Sequence, residues 1–341
     1  MSGVKINTME EFATVSGLSR PTISKYFNDP KSVRSSTRAR IEAAIAEYDY
    51  HPNIYAMNQN RKLTNNVGIV VPYISDPVFA EHARALEEKC IEAGFRPTLF
   101  SSHGAPELEV EILDLLRSLK PAGVMLAPLG RTPNKAVIEK FCSDVPTVLF
   151  DSYLPDTGLG FVGSNNSQFA KLMIDYLCRT GEPPCFLEMK TPANPNANRR
   201  RIAYLEAMDA LGFDPCVVGI DGTGWAFEEI GRSGGARALI EKSFSSNTVL
   251  CSNDRLAIGF LTACFEQKIR VGRESDCDIR VAGMDDHPFS RYTCPPLTTV
   301  AQDFNSVSKG TVDLLLDAIE GRDISETYTI FDGRLVMRES A

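Results

Sequence analysis

Residues 8–53, TMEEFATVSGLSRPTISKYFNDPKSVRSSTRARIEAAIAEYDYHPN, decide how the rest of the chain is read. Met9, Phe12 and Ala13, then Leu18, Ile23 and Phe27, recur at helical spacing and are interrupted at Gly17. Thr8 can cap a first helix whose opening turn holds Glu10 and Glu11, where the helix dipole favours anions. Gly17 supplies a tight turn. Ser19 can cap a second helix, with Pro21 in its first turn, where a missing N–H costs little. Asn28-Asp29-Pro30 closes it, and a third helix is predicted from about Ser36 to Tyr48, striped by Ile41, Ala44, Ile45 and Tyr48. Two short helices about a glycine turn make a helix-turn-helix candidate. The second helix would offer Arg20, Pro21 and Lys25 to base edges, since Arg and Lys donate to guanine O6 and N7 in the major groove. Ser19, Thr22, Ser24 and Asn28 are short polar groups suited to phosphates, and Thr8 at the start of the first helix joins this candidate set.

Working outward, the charge supports a division of labour. The 341-residue chain has net charge −8, which looks wrong for a nucleic-acid binder. Yet residues 1–62 hold nine Lys and Arg against six Asp and Glu, hence +3, leaving 27 bases against 38 acids, hence −11, for the remainder. A basic head on an acidic body implies an anionic partner for the head alone. No apolar run approaches the ~20 residues of a membrane helix, and the N-terminus lacks the apolar core of a secretory signal. Nine cysteines without a C-x-x-C pair or Cys/His cluster fit a reducing compartment better than a disulfide framework or structural zinc.

From Asn66 the pattern alternates. Strands are predicted at 67–71, 98–100, 124–126, 147–150, 185–187, 217–220, 248–251 and 279–282. Helices are predicted at 78–93, 107–119, 166–179, 200–211, 228–242, 254–267 and 304–320. This β-α repeat predicts parallel sheets with helices on both faces, and its length favours two subdomains. Enzyme signatures are missing: there is no G-x-x-x-x-G-K-[ST], H-E-x-x-H or G-x-S-x-G, and Gly222-Thr223-Gly224 lacks the third glycine of a dinucleotide loop. The four histidines, 51, 82, 103 and 287, are scattered.

With these motifs in this order, the chain resembles the lactose-repressor (LacI/GalR) family of bacterial regulators over essentially its whole length. The resemblance implies a small all-α helix-turn-helix head at 1–51, a hinge helix or linker at 52–65, and a body at 66–341. That body would be two doubly wound α/β lobes like those of a type I periplasmic binding protein. Lobe 1 would take about 66–162 plus 303–324, and lobe 2 about 163–301 plus 325–341. In the head, Arg20, Pro21 and Lys25 would read bases; Lys25 replaces the usual Arg, and Arg34 stands where a Ser usually caps the third helix, leaving Ser35 or Ser36 to substitute. In the hinge, Gln59 stands where the family places a minor-groove leucine wedge, and Asn53 and Gln59 join the DNA-contacting set.

In the body, Asp76-Pro77-Val78-Phe79 resembles the family's D-P-F-F, and Arg201 sits at its ligand arginine. Cys251-Ser252-Asn253-Asp254 and Gly283-Met284-Asp285-Asp286 match its N-D and G-[FY]-D-D segments, and residues 297–302 its lobe crossover. The ligand set implied is Phe79, Arg201, Trp225, Asn253 and Asp285, with Asp254 as a helix cap. Function follows as an expectation: a cytoplasmic, homodimeric, sequence-specific regulator, most naturally a repressor, on double-stranded operator DNA. A small effector between the lobes, a carbohydrate or its derivative, would control it. No enzymatic activity, cofactor, metal or membrane partner is expected. The rival readings are a solute-binding protein with no DNA role, and a co-repressor-type regulator answering to a non-sugar metabolite.

Overall fold

The computed structural model describes residues 6, 8–52, 64–129 and 135–341, and divides into two compact units, 1–64 and 65–341. The expected hinge, with Asn53, Met57 and Gln59, lies outside the described residues, as does the Asn28 side chain.

The first unit is three helices: α1 (Met9–Ser16), α2 (Arg20–Asn28) and α3 (Ser35–Tyr48). A capping box opens α1: the Glu11 N–H donates to Thr8 Oγ1 and the Thr8 N–H to the Glu11 carboxylate. Gly17 ends it at φ 62°, a left-handed position that glycine takes without strain. Ser19 caps α2, accepting from the Thr22 N–H. At α3 the expectation changes. The helix starts at Ser35, and its N-cap is Arg34, with no side-chain cap bond; neither Ser35 nor Ser36 substitutes, because both lie inside the first turn. Phe12, Ile23, Ile41 and Tyr50 fill the core, with the Phe12 and Tyr50 rings stacked at 4.2 Å.

The second unit carries two parallel sheets. The lobe-1 sheet comprises β1 (Asn66–Val71), β2 (Arg96–Ser101), β3 (Gly123–Leu126), β4 (Thr147–Phe150), β5 (Gly160–Ser164) and β11 (Tyr328–Phe331), in the order β11-β5-β4-β3-β1-β2. Its helices are α4 (Pro77–Glu92), α5 (Pro106–Leu119), α6 (Lys135–Asp144) and α11 (Phe304–Ile319). The lobe-2 sheet is β6 (Cys185–Met189), β7 (Val217–Ile220), β8 (Thr248–Cys251) and β9 (Arg280–Ala282), in the order β7-β6-β8-β9. Here α7 (Asn166–Thr180), α8 (Asn196–Leu211), α9 (Phe227–Ile240) and α10 (Asp254–Glu266) cover it. β10 (Thr299–Ala301) and β12 (Arg334–Val336) form a separate antiparallel pair.

One boundary moves. Residues 328–331, expected in lobe 2, form the edge strand β11 of the lobe-1 sheet, with Tyr328 in register with Phe161. Half-exposed and four residues long, β11 carries little hydrophobic signal of its own. The chain therefore passes between lobes after β5, after β10 and after β11, and side chains stitch the three passages together. Ser164 Oγ donates to Gln302 Oε1 at 2.8 Å, and Asn165 Nδ2 to Asp332 Oδ1 at 2.8 Å.

Candidate functional site

In the head, the N-terminus of α2 presents Ser19, Arg20 and Pro21 to solvent, and Lys25 follows on the exposed surface, while Ile23 is fully buried. The reason is helical period: Ile23 faces Phe12 and Ala44, so residues 20, 21 and 25 point elsewhere. Thr22 and Ser24 are half-buried. Arg20 Nε meets Glu10 Oε1 at 2.9 Å, both side chains about 62% exposed. This is a solvated contact that a phosphate or guanine can displace at small cost.

In the body, the carboxyl ends of the strands of both lobes face one cleft, where α/β folds present ligand groups. Arg200 is its central cation. Its Nε donates to Asn166 Oδ1 at 2.7 Å, its Nη1 to the Ser252 carbonyl at 2.8 Å, and its two terminal nitrogens to the Asp285 carboxylate. Gln302 Nε2 donates to the same carboxylate at 2.7 Å, which ties the lobe crossover to the site.

Arg201, the expected ligand arginine, lies outside the cleft lining. It is 46% exposed, and its Nε pairs with Glu188 at 2.9 Å. One residue along a helix turns the side chain by about 100°. The buried face of α8 runs Asn196, Arg200, Ala203, Tyr204, so Arg200 faces inward and Arg201 does not. The apolar pair Ala203 and Tyr204 already marked that face in the sequence. The predicted start at Arg200 concealed it, because α8 begins four residues earlier.

The other expected cleft residues, Phe79, Trp225, Asn253 and Asp285, all line it. Trp225 stacks on Tyr73 from lobe 1 at 5.4 Å and meets Phe79 and Phe227 edge-on. Gly104 gives it room, since a Cβ there would lie 2.6 Å from Trp225 Nε1. Asn253, not Asp254, caps α10, its side chain accepting from the Leu256 N–H at 2.8 Å. Asp254 instead lies fully buried behind the cleft, accepting from the His287 N–H, Ser290 Oγ and Thr299 Oγ1. Burial, and after it the nearby Asp285 carboxylate, push Asp254 up to about 7.

Several cleft residues escaped the sequence reading. Asp151, after β4, accepts from Asn194 Nδ2 and Asn196 Nδ2, both at 3.1 Å and both from lobe 2. Asp76 caps α4, and its other oxygen accepts from Arg255 Nη1 at 2.9 Å. Arg255 also grips Glu228 through two bonds of 2.7 Å. Polar bonds thus cross the cleft at two places. Burial raises the pKa of Asp76 and of Asp151. Asp151 and Asp285 both take positive φ, 57° and 131°, where side-chain-bearing residues are strained and which clusters at functional positions. No sequence signal marks Asp151, Arg255 or His287, whereas Asp76 and Gln302 lie in segments picked out by resemblance, without the roles that their distant partners give them.

Among the described residues no group of His, Cys, Asp and Glu is placed to hold a metal, and no helix is long and apolar enough to cross a membrane.

A helix-turn-helix unit and a two-lobed unit with a polar interlobe cleft define a ligand-responsive DNA-binding protein, and similarity to known proteins agrees. Residues 8–53 match the model of the bacterial regulatory proteins of the lacI family, and residues 180–341 match a periplasmic binding protein-like domain. The ribose operon repressor of Escherichia coli K12 is 27% identical over 317 residues, 92% of this chain and 93% of that one. The HTH-type transcriptional repressor CytR of the same strain is 26% identical over 98% of this chain and 96% of its own. A lac repressor dimer, solved with its operator and an anti-inducer, superposes with a TM-score of 0.84 at 24% identity, covering 98% of both chains. The chain is thus similar to lacI-family regulators along nearly its whole length, and it is a DNA-binding transcriptional repressor with a periplasmic-binding-protein-like ligand domain.

Proposed function

We propose that the chain acts in the cytoplasm as a homodimer on a near-palindromic operator, without enzymatic activity, and that a carbohydrate or sugar derivative in the cleft controls its affinity. A twofold dimer suits a twofold site. Arg20, Pro21 and Lys25 serve as base readers, with Ser19, Thr22 and Ser24 at phosphates. Phe79, Trp225, Asn253 and Asp285 hold the effector, and Arg200 sets Asp285 in place. The observation that carries this reading is that polar side chains of the two lobes bond to one another inside the cleft, Asp76 to Arg255 and Asp151 to Asn194 and Asn196. A ligand that competes for those groups alters lobe closure, and differential binding to two lobe arrangements is what a switch requires. The similar ribose operon repressor bears a sugar in its name.

The test is operator retention in a gel-shift or fluorescence assay of the full chain, with and without a panel of monosaccharides. A sugar-dependent change, lost in Asp285→Ala with sugar-free DNA binding retained, supports the reading. A chain that binds sugar but no DNA fragment of its own promoter regions is a plain solute-binding protein.

A further inference from the structure

Hydrogen-bonding capacity left over in the cleft says more about the effector than its shape does, resting on the reading above that a small molecule binds there. Two polar atoms of cleft-lining residues are buried without a partner among the described residues: His287 Nε2 and Asn196 Oδ1. Their residues are 3% and 6% exposed. The identity of each orphan follows from its neighbours. His287 Nδ1 accepts the Phe289 N–H at 3.1 Å, so in the neutral ring the proton sits on Nε2, an unmet donor. Asn196 Nδ2 donates to both the carbonyl and the carboxylate of Asp151, so its Oδ1 is an unmet acceptor. Burial, then the adjacent Arg255 charge, lower the pKa of His287, which keeps the ring neutral. A buried polar atom left unpaired is costly, so a ligand that pairs it gains accordingly.

The positive charges of the cleft are, by contrast, already spent. Among the described lining residues the cations are Arg200 and Arg255; the first is bonded to Asp285 and the second to Asp76 and Glu228. An anion that took either arginine would strand a buried carboxylate. Asp151, which forms no ion pair among the described residues, adds repulsion.

We infer that the cleft selects an uncharged polyhydroxylated ligand and discriminates against its phosphorylated and carboxylated forms, with His287 as hydrogen-bond donor and Asn196 as acceptor to ligand hydroxyls. The chemistry is one of exclusion. An ionised phosphate or carboxylate placed between these groups accepts and leaves Asn196 Oδ1 unmet. A hydroxyl both donates and accepts.

The experiment is calorimetry on the full chain with ribose, xylose, glucose and galactose, and with ribose 5-phosphate, glucose 6-phosphate and glucuronate. The expected result is heat from at least one neutral sugar and an affinity at least about tenfold weaker for any anionic counterpart. His287→Phe, which keeps a ring against Phe289 but has neither the Nε2–H nor the acceptor of the Phe289 N–H, weakens that sugar about tenfold while operator binding stays intact, and a melting curve reads the lost Phe289 bond separately. Asn196→Leu, the same test for the acceptor, is accompanied by a melting curve, since it also releases Asp151. Preferential binding of a phosphate or acid overturns the inference and leaves the effector reading standing. Unchanged affinity in His287→Phe overturns the donor assignment. Silence from all seven compounds overturns both this inference and the sugar reading on which it rests.

Discussion

The head and the cleft deploy the same residue types in opposite ways. Arg20 in the head is about 62% exposed, with a single solvated partner in Glu10. Arg200 in the cleft has a side chain 6% exposed, and every one of its nitrogens is bonded. One arginine is held ready for an outside partner; the other is already consumed in organising a carboxylate. The difference follows from the partner. DNA brings its own charge and its own acceptors, so the protein supplies free donors. A small ligand enters a cavity, where every unpaired group is costly until the ligand arrives, so most groups are paired beforehand.

The contrast breaks most visibly if Arg200 proves dispensable. Arg200→Ala leaves Asp285 buried without its cation, and loss of one partner of a buried pair costs about 3–5 kcal/mol. Arg201→Ala removes an exposed contact to Glu188 and costs less than about 1 kcal/mol. Urea unfolding of both variants checks the ranking, and equal midpoints contradict the helix-face assignment.

That pair of neighbours also shows where the sequence is legible. The head could be read nearly residue by residue, because capping boxes, glycine turns and helical stripes are local: Thr8, Gly17 and Ser19 do what their neighbours within four positions require. The alternating body was legible for the same reason, save for α6 and the short strands β5, β10, β11 and β12, whose hydrophobic signal is brief. The cleft was legible only in part. Phe79, Trp225, Asn253 and Asp285 came from motif resemblance, but the partners that give Asp285 its setting, Arg200 and Gln302, stand 85 and 17 residues away. Pairings of that separation leave no periodic trace. Resemblance alone missed the inward arginine by one position, and one position on a helix is a different face.

A second prediction concerns the buried carboxylate behind the cleft. The folded-state pKa of Asp254, about 7, lies above the 3.8 of an unperturbed aspartate. Between these values the folded chain binds more protons than the unfolded one. The stabilisation is therefore fully present below pH 3.8 and is lost as pH rises through 7. At about 1.4 kcal/mol per pKa unit the change reaches up to about 4 kcal/mol. Asp254→Asn mimics the protonated form and flattens this part of the profile. His82, fully buried against Phe150 and Phe304, acts with the opposite sign. Burial lowers it to about 4, so its contribution is present above pH 6.5 and is lost as pH falls through 4. Stability curves of wild type, Asp254→Asn and His82→Phe from pH 4 to 8 separate the two. A wild-type-like slope in Asp254→Asn removes Asp254 as its source.

In the head the larger effect is on binding rather than folding. Arg20→Ala costs about 1–3 kcal/mol of discrimination at one base pair, with the melting temperature unchanged, because the side chain is exposed. Titration against the cognate operator and a single-base variant measures it. Equal loss on both sequences makes Arg20 a phosphate contact, and no loss on either removes α2 from the groove.

The smallest effect sharpens the comparison most. Glu10 and Arg20 form an exposed ion pair between α1 and α2, and such pairs contribute about 0–1 kcal/mol to folding. If Arg20 is held in reserve for DNA, this contact competes with the operator. Glu10→Gln keeps the shape of the side chain and removes its charge. It lowers head stability by less than about 1 kcal/mol. It also tightens operator binding by a similar or smaller amount, because the guanidinium no longer leaves a carboxylate and because one negative charge near the phosphates is gone. The two causes separate by salt. General repulsion is screened as ionic strength rises, since the Debye length falls from about 10 Å at 0.1 M to about 3 Å at 1 M. Release of a specific competitor depends on Arg20 and vanishes in the Arg20→Ala background. A double-mutant cycle over a salt series therefore decides it: coupling between Glu10→Gln and Arg20→Ala marks a reserved arginine, whereas additive effects that fade with salt mark Glu10 as one more charge near the DNA.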